Sequence, residues 1–598
     1  MKPYLALIRA NLRLALRERV AIFFNYVFPL IFFFAFGGLL HAERGGVITH
    51  VVTMVLVIGI LGNGLFGGGI RAVQDREQNI LRRFKVAPIS AAPILAASIV
   101  TGWVLYLPAV ILTFVLARIV YGMPFPEHWF SLFVLVSAGV IAFRAIGLII
   151  ASVANSAQES QILVQLVYLP MMFLSGTTFS LTILPAWAQA IAQFLPATYL
   201  VNALQSNLLG AEAPGQVGSA LFVLLVTAAV SLFLSTQLFR WEKEEKLRRS
   251  GKLALAAMIV PSLLLGAWQV RTHDAVSQTR VLYRQMQRGR SLIIRGARIF
   301  TGDGRVIDSG AVLVRSGVIL KVYPGAPPED LNAESIEGSG KTLLPGLIDM
   351  RVQLTASGGV RDLPGSFHPA AAARRALAAY LYCGATGVRS VGDPPALARD
   401  LAAAVASGER LGAQVFPSAG AISNAYIPSL SVLDAAAAIQ TGDPALLSRS
   451  LVEQVGPLDL IRQMRKALGS GPHRPPAEAA APLRDAMRKL ANAYRSGALL
   501  VAGSGAGSPL VWHGPSVQRE LELWVEAGIP ARDALLGATS NAARVLGLEA
   551  RIGAIRNGCD ADLLLVDGNP LEDIAALERV SAVIFKGEPI DRSGLFEQ

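Results

Sequence analysis

Histidine and cysteine are the side chains most able to hold a metal or act as a nucleophile, and in this chain they do not cluster. The two cysteines, Cys383 and Cys559, lie far apart and outside any C-x-x-C pattern. His368, His473 and His513 are each isolated in the sequence. Because a catalytic zinc site takes three protein ligands, these spacings predict no metal site. The two cysteines are expected to be small buried residues.

Two glycine-rich patterns resemble nucleotide-binding loops, but neither stands in the required context. Gly62, Gly64 and Gly67 match G-x-G-x-x-G inside a long apolar run, where small residues usually serve helix packing. Gly338–Thr342 resembles the end of a P-loop, yet Ser335 stands where that motif needs its first glycine. We therefore expect no cofactor on this chain, and any ATP would be bound by a partner subunit.

The elements that must position these side chains are of two kinds. The 598 residues are too many for one core, and charge-poor apolar runs crowd the first half. A membrane-spanning helix needs about 20 apolar residues. The predicted spans are Ala21–Leu40, Val51–Ile70, Ile94–Leu116, Phe130–Ala151, Ile162–Phe179 and Ala220–Phe239, and a seventh, shorter run covers Leu253–Val270.

Basic residues are concentrated on one side of these spans. Clusters precede the first span, separate the second from the third, and follow the sixth, whereas the opposite loops hold almost none. By the positive-inside rule the N-terminus is cytoplasmic and the chain returns to the cytoplasm at Arg240. The seventh run would then carry the remainder outside the inner membrane. The net charge of +12 comes with these clusters, so we expect contact with membrane lipid and none with nucleic acid.

Two charged segments and one charged residue in this half are candidates for function. Residues 1–19 interleave leucines with arginines, which predicts an amphipathic helix at the cytoplasmic interface. Arg144 falls inside the fourth span, where a charge is costly unless it is paired or snorkels; it either snorkels or serves a substrate or a gate. Arg71–Ser90 is either a solvated loop or a coupling helix that docks on a separate ATPase. The contact residues would be Arg76, Glu77, Leu81, Arg82 and Arg83.

Two groups of residues make the first half resemble the permeases of ABC-2 type exporters. One is Arg76-Glu77 followed by Pro88-Ile89-Ser90. The other is Phe173–Gly176 followed by Leu184–Tyr199. Its marker residues are Ser175, Gly176, Pro185, Pro196 and Tyr199. The resemblance covers about Met1–Trp241 and looks most like the drug and lipid exporter branch.

That resemblance implies a permease that works with a separate ABC ATPase subunit and that pairs, as a homodimer or with a second permease. It does not specify whether the exported molecule is drug-like, a lipid or a polysaccharide. Ile183–Leu200 contains two prolines and a tryptophan. We expect it to form a short re-entrant or interfacial element on the outer side.

From Ser291 the sequence changes to short strands and glycine turns. Lys341–Asp349 (KTLLPGLID), Ala534–Gly547 and Gly553–Asp567 resemble the metal-dependent amidohydrolases of the imidazolonepropionase-like kind. The resemblance implies a small β-sandwich built from residues 291–345 and 550–590, flanking a TIM barrel from 346–549. It also implies one or two divalent metals that activate water.

The residues that should bind the metal depart from that family's pattern. Arg351 and Gln353 stand where the family has its His-x-His ligands, and Gly505 replaces the proton-shuttling aspartate. Arginine keeps its proton and repels a cation. Only about 80 residues separate Gly420 from Gly503, too few for the family's middle strands, so the barrel is expected to be incomplete. We therefore expect this domain to be a pseudoenzyme and the chain not to be an enzyme.

Together these features predict a multi-domain protein, in which an all-α polytopic membrane domain precedes an α/β amidohydrolase-like domain. The expected parts are the interfacial helix 1–19, the permease domain 20–241, a linker with the seventh span at 242–270, a second linker at 271–290, and the domain 291–598. The expected function is that of an exporter permease. A membrane-anchored hydrolase that cleaves C–N bonds is the alternative.

Overall fold

The computed structural model describes residues 2–17, 22–39, 47–85, 90–181, 184–209, 214–242, 275–329, 331, 333–359, 368–418, 420, 422, 424–470 and 473–597. The chain divides into two compact units, Met1–Met286 and Gln287–Gln598. The predicted seventh span, Leu253–Val270, lies outside the described residues. The predicted second linker, 271–290, is not extended chain over its described part but contains helix Ala275–Arg288, in which the boundary between the units falls.

The first unit is helical, as its long apolar runs predict. Its helices are Lys2–Ala15, Phe28–Leu39, Val47–Leu61, Gly67–Glu77, Ile80–Lys85, Ala91–Tyr121, Trp129–Val153, Ala157–Leu174, Ala186–Ala192, Pro196–Leu208 and Pro214–Gln237, with π-helical turns at Phe23–Val27 and Gly62–Phe66. Among the described residues, the helices long and apolar enough to cross a membrane are Ile48–Glu77, Ala91–Tyr121, Trp129–Val153 and Val217–Gln237, and a shorter apolar helix covers Asn25–Leu39. The unit is therefore a membrane-type helical region.

Two predicted spans differ from the observed helices. The second continues past Ile70 to Glu77, so the charged residues from Arg71 onward begin as helix and not as loop. The fifth overlaps helix Ala157–Leu174, which is not among the four because glutamate and glutamine occupy its first turns.

Helix Trp129–Val153 is largely buried, with nearly every side chain from Ala138 to Ser152 enclosed. Its neighbours approach closely because small residues face it. A Cβ added at Gly147 would lie 2.4 Å from the carbonyl oxygen of Gly64, and one added at Gly64 would lie 2.7 Å from the backbone carbon of Phe143. The glycines of the G-x-G-x-x-G run therefore serve helix packing.

The second unit contains an eight-stranded sheet that joins its two ends. The strands are β1 Ser291–Phe300, β2 Val306–Arg315, β3 Val318–Tyr323, β4 Glu334–Glu337, β5 Lys341–Pro345, β9 Leu563–Asp567, β10 Val580–Phe585 and β11 Glu588–Pro589. The order is β11-β10-β9-β5-β1-β2-β3, and β4 pairs with β1. The strands from the two ends of the unit meet where β5 pairs antiparallel with β9, with Leu343 opposite Leu565.

A second sheet holds three parallel strands, β6 Leu347–Val352, β7 Ala385–Ser390 and β8 Gln414–Pro417, in that order. Each crossover contains a helix, Pro369–Tyr382 or Pro395–Ser407. This is the βαβ arrangement that parallel strands require. Beyond β8 the described residues add only isolated bridges to this side, Val352 with Ala506 and Tyr426 with Leu500.

Helices fill most of the remaining length of the second unit. They are Leu430–Thr441, Ser450–Val455, Leu458–Leu468, Pro476–Ala479, Ala481–Arg495, Pro515–Glu526, Ala531–Gly537 and Ser540–Val545, with 3₁₀ turns at Ala445–Ser448, Ile574–Glu578 and Ser593–Glu597. Tyr380 and Trp524 are the largest fully buried side chains of this unit. The second unit is thus an α/β domain.

Candidate functional site

Arg144 is enclosed in the first unit, with 5% of its surface exposed. Its Nη1 donates to the carbonyl oxygen and to Oδ1 of Asn63, both at 3.0 Å, and its Nη2 donates to the carbonyl oxygen of Gly67 at 3.4 Å. The amide of Asn63 donates in turn to Oδ1 of Asn25 at 2.7 Å and to the carbonyl oxygen of Gly102 at 3.3 Å. Arg144 therefore does not snorkel to a surface but belongs to a buried polar cluster.

Both asparagines of this cluster lie in π-helical turns, Phe23–Val27 and Gly62–Phe66. Such turns release backbone carbonyls from the regular α-helical pattern and are frequent at functional sites. Sequence reasoning missed Asn25 and Asn63. An amide inside an apolar run is itself a signal, because polar groups at membrane depth need partners.

Arg76 and Glu77 also bond within the chain. Arg76 donates to the carbonyl oxygens of Ala151, at 2.9 Å, and of Ala154, and Glu77 accepts from the amide of Ala157 at 3.1 Å. Arg240 reaches the same place, donating to the carbonyl oxygens of Val153, at 3.0 Å, and of Ala154.

We call residues Ala151–Ala157 the helix-end junction. Two guanidinium groups there satisfy carbonyls that the end of helix Trp129–Val153 leaves without intrahelical partners, and positive charge is favoured at a helix C-terminus.

The remaining candidate coupling residues occupy the short helix Ile80–Lys85. Leu81 is buried, whereas Arg82 and Arg83 are exposed. Arg82 approaches Glu242 at 4.0 Å, with 66% of its side chain exposed. Of the five predicted residues, these two arginines are the ones that present charge outward.

The motif residues between Phe173 and Tyr199 lie at turns and helix starts. Ser175 Oγ is 2.6 Å from Thr177 Oγ1, and Gly176 has a positive φ of 84°. Pro185 precedes helix Ala186–Ala192, and Pro196 is the first residue of helix Pro196–Leu208. Tyr199 donates to the carbonyl oxygen of Gln193 at 2.6 Å. The expected short element between Ile183 and Leu200 is thus two helices with a turn between them. Residue 183 is outside the described part of the chain.

In the second unit, Arg351, Gln353 and Gly505 meet at one cavity of about 360 Å³. It opens at the carboxyl end of β6, and Ser429 and Ser508 also line it. Arg351 Nη1 lies 3.4 Å from Ser429 Oγ. The cavity therefore presents one cationic side chain beside an amide and hydroxyl groups.

Asp349 lies on β6, two residues before Arg351, but is fully buried. It accepts from the amide of Ser504 at 2.9 Å, from the Ser504 hydroxyl and from Tyr380 at 3.3 Å. Burial raises its pKa to about 6, against the opposing effect of these hydrogen bonds. Its carboxylate is committed to holding Ser504 and Tyr380 in place.

The residues at this cavity do not fit a divalent metal ion. Arg351 is a cation, Gln353 is a neutral amide, and Gly505 has no side chain. A Cβ at Gly505 would lie 2.4 Å from the side-chain atom Val432 Cγ2, and the φ of 71° at this position disfavours an aspartate. Across the described residues, no group of three or more His, Cys, Asp and Glu could hold a metal. His513 is half-buried elsewhere, with Nε2 2.9 Å from the carbonyl oxygen of Ala356.

Comparison with known proteins gives each unit its own relatives. The ABC-2 type transporter family model matches residues 3–209, and the amidohydrolase family model matches residues 451–590. The "Probable multidrug ABC transporter permease YbhS" of Escherichia coli (strain K12) is 24% identical over 190 residues, which cover 31% of this chain and 48% of that protein. Nodulation protein J of Rhizobium leguminosarum bv. viciae is 30% identical over 116 residues, 19% of this chain and 44% of that protein.

The chain spans about half the length of these two curated relatives. Among solved structures, a Xaa-Pro dipeptidase with methionine bound in its active site is 21% identical, with a TM-score of 0.38, and covers 50% of this chain and 99% of its own. At this TM-score the likeness carries no argument about the fold, which rests on the strands described above. The chain joins an ABC-2 membrane domain at its N-terminus to an amidohydrolase-family domain at its C-terminus, and it is a membrane protein.

One expectation from the sequence needs correction. The chain was expected not to be an enzyme, because Arg351, Gln353 and Gly505 replace the usual catalytic residues. That expectation is wrong as stated, since the second unit carries the domain of an enzyme family across residues 451–590. The absence of the family's ligands concerns the cavity at Arg351. It does not decide whether the second unit is catalytically active.

Proposed function

We propose that this chain is the permease subunit of an ATP-driven exporter in the cytoplasmic membrane. The observation that carries the proposal is the match of residues 3–209 to the ABC-2 type transporter family, over a helical unit whose long apolar helices suit a membrane. A separate ATPase subunit would supply the energy, since neither glycine-rich pattern of this chain stands in a nucleotide-binding context.

The finer arrangement belongs to the same proposal. Six spans cross the membrane with the N-terminus in the cytoplasm, as the distribution of basic residues favours. A seventh span at Leu253–Val270 carries the C-terminal domain, a partial barrel with its flanking sheet, to the outer side. The permease pairs with a second copy, or with a related permease, to complete the path for a drug-like molecule, a lipid or a polysaccharide.

Helix Ile80–Lys85 is the proposed contact with the ATPase. Its buried Leu81 fixes the helix to the unit, and its exposed arginines face outward. Arg76 and Glu77 stay part of the proposed contact, and within the chain both also bond to the helix-end junction. Exposed charge of one sign is suited to complementary docking and to fast association.

Co-purification tests this contact. The tagged chain, extracted from membranes of its source cells, should retain an ATPase that is detectable by ATP hydrolysis. Reversal of both charges, Arg82→Glu with Arg83→Glu, should lower the retained activity by about tenfold, because two favourable charge contacts become repulsive.

The matched control reverses two exposed charges in the second unit, Arg465→Glu with Lys466→Glu. This control should retain the ATPase at the level of the unaltered chain. Retention that does not change in the Arg82/Arg83 variant would refute the contact. An unaltered chain that brings no ATPase with it would refute the permease proposal itself.

A second candidate function is favoured by the match of residues 451–590 to the amidohydrolase family. It is hydrolysis of a C–N bond by the C-terminal unit. Arg351 is the residue in the cavity suited to hold the carboxylate of an N-acyl amino acid or a dipeptide, since guanidinium and carboxylate pair strongly. The cavity offers a cation for the carboxylate of such a substrate, and its residues do not form a metal site.

Turnover of N-acyl amino acids by the purified full chain, with and without a chelator, tests this second function. We expect turnover that persists in the chelator and a KM that rises about tenfold in Arg351→Gln. Arg488→Gln, a change at an exposed arginine of helix Ala481–Arg495, should leave both constants unchanged. An absence of turnover under every condition would count against the candidate.

A further inference from the structure

The first unit encloses a cavity of about 370 Å³ beside Arg144. Most of its wall is apolar and includes Leu7, Phe66, Ile70, Leu95, Leu105 and Leu148. The charged side chains of the wall are Arg71, Asp75 and Arg144, which leaves an excess of one positive charge. A cavity with a long apolar wall and a cationic end matches an amphiphile whose head is anionic.

Among the residues that the structure describes, Arg144 has no counter-ion. Its acceptors are backbone carbonyls and the amide of Asn63, all of them neutral. Within the described part of the chain no carboxylate lies within ion-pair distance of it, and its buried Nε has no hydrogen-bond partner. A buried charge without an opposite charge is costly, so an anion entering the cavity would gain what the protein does not supply.

The guanidinium is held in a position that only glycine allows. A Cβ at Gly102 would lie 2.3 Å from Arg144 Nη1, and one at Gly67 would lie 3.0 Å from the same atom. The two π-helical turns add Asn25 and Asn63, which fix the other face of the cluster. The arginine is therefore built into the wall and is not a flexible surface cation.

Thr101 is a second donor directed at the same cavity. It lines the cavity, is 4% exposed, and its buried Oγ1 has no hydrogen-bond partner among the described residues. Buried hydroxyl groups are normally paired. A threonine hydroxyl without a partner beside an arginine without a counter-ion indicates two donors awaiting one acceptor group.

We infer that this cavity binds an anionic amphiphile, with a carboxylate or phosphate head on Arg144 and Thr101 and an alkyl tail along the apolar wall. The inference rests on the proposed transport function and names the substrate class of the permease. The head can belong to an exported molecule or to a lipid of the bilayer, because the recognising chemistry is shared.

Binding to the full chain in nanodiscs of zwitterionic phosphatidylcholine tests the inference. Dodecanoate and dodecyl phosphate are the probes, and dodecyltrimethylammonium is the cation of matched tail. The unaltered chain should bind both anions at least about tenfold more tightly than the cation. Arg144→Gln should weaken binding of the anions by about tenfold or more, as expected for loss of a charge-assisted contact, and Thr101→Val by several-fold.

Arg118→Gln is the matched control, because Arg118 lies at the other end of the same helix as Thr101, against the carbonyl oxygen of Met123 and the ring of Phe125. It should bind the anions as the unaltered chain does. A folded Arg144→Gln variant that binds dodecanoate undiminished overturns the inference, and so does equal affinity for the cation. Where Arg144→Gln does not fold, undiminished binding by Thr101→Val overturns it.

A second set of nanodiscs, containing anionic phosphatidylglycerol, identifies the source of the head. Suppose that phosphatidylglycerol competes with dodecanoate for the unaltered chain and no longer competes in Thr101→Val. This result supports the site and assigns it to a bilayer lipid. Undiminished binding of dodecanoate supports the site and assigns it to a free amphiphile. No ATPase is present in these measurements, so their failure leaves the co-purification result standing, and the reverse also holds.

Discussion

At the scale of single residues, Arg76 and Arg240 show how charged side chains inside the first unit stabilise its structure. Both guanidinium groups converge on the carbonyl oxygen of Ala154, where helix Trp129–Val153 ends. Charged residues near a membrane helix end can therefore be caps, and sequence position alone does not separate a cap from a docking residue.

We expect Arg76→Ala to destabilise the first unit. The substitution leaves the carbonyl oxygens of Ala151 and Ala154 with fewer donors, and buried groups that lose a charged partner cost about 1–3 kcal/mol. Thermal unfolding in detergent, followed by the fraction that remains monodisperse, should show a lower midpoint. Arg83→Ala removes an equal charge at an exposed position and should leave the midpoint unchanged. Equal midpoints for the two variants would contradict the capping role.

Asp562 makes the stability of the second unit depend on pH. Burial raises its pKa from 3.8 to about 6, although the amide of Lys586 donates to it at 2.7 Å. Because the folded pKa lies above the unfolded one, the stabilising contribution is fully present below about pH 4 and is lost as pH rises through 6. We expect Asp562→Asn to flatten the fall in unfolding free energy between pH 4 and 7, by roughly 3 kcal/mol at most.

The two buried cysteines report on this unit alone. Cys383 and Cys559 are the only cysteines of the chain, both are buried, and both lie in the second unit. Their reaction with a pyridyl disulfide during denaturant unfolding measures the unit within the full chain. Asp308→Asn, at an exposed aspartate, should keep the original pH slope. An unchanged slope in Asp562→Asn would show that this carboxyl group is not responsible.

At the scale of elements, glycine contacts decide how closely the helices of the first unit approach. We expect Gly147→Ala to lower the thermal midpoint, because the new methyl group would lie 2.4 Å from the backbone oxygen of Gly64 and overpacking costs about 1–3 kcal/mol. Gly218→Ala is the matched control, since nothing lies within 4 Å of its Cβ position. It should be neutral or raise the midpoint, because alanine favours helix over glycine by about 1 kcal/mol.

Much of the helical pattern could be predicted, and the reasons are local. The predicted spans Ile94–Leu116 and Phe130–Ala151 fall within helices Ala91–Tyr121 and Trp129–Val153, because long apolar runs without breakers allow little else. The continuation of the second span to Glu77 was missed, since charge was taken to end the helix. Arg76 tolerates that position only because carbonyls from a distant helix end receive it.

The candidate sites were predicted unevenly. Arg351, Gln353 and Gly505 could be aligned from their motifs, and they do share one cavity. The bond between Arg144 and Asn63 joins residues 81 positions apart, so no local spacing contains it. The π-helical turns that present Asn25 and Asn63 add one residue to a helical turn, which hydrophobic periodicity does not resolve.

At the scale of the whole molecule, the chain joins two units that differ in where their polar and apolar residues lie. The first buries polar groups such as Arg144 and Asn63 among apolar helices, and the second combines two sheets with helices that carry exposed charges. A fusion of this kind keeps the C-terminal domain at the membrane at a fixed ratio to the permease. Leu253–Val270, the proposed seventh span, determines the side of the membrane on which that domain lies.

Protease protection tests the side of the membrane. In spheroplasts with an intact inner membrane, added protease should remove a tag at the C-terminus and leave a protected fragment of the first unit. The expectation follows from six spans that return the chain to the cytoplasm and a seventh that leaves it. A cytoplasmic marker enzyme that survives the digestion is the control. A tag that persists until the membrane is lysed would place the C-terminal domain inside.

The helix-end junction also has a mechanical meaning. Through Arg76, Glu77 and Arg240, the ends of helices Gly67–Glu77, Trp129–Val153, Ala157–Leu174 and Pro214–Gln237 are fastened at one point. A displacement of helix Ile80–Lys85 would thus move these four helix ends together and not one helix alone. Arg76 is nine residues, or about 13 Å of helix, from Gly67, whose carbonyl holds Arg144. A force applied by the proposed ATPase at helix Ile80–Lys85 would therefore be carried along helix Gly67–Glu77 to the cavity.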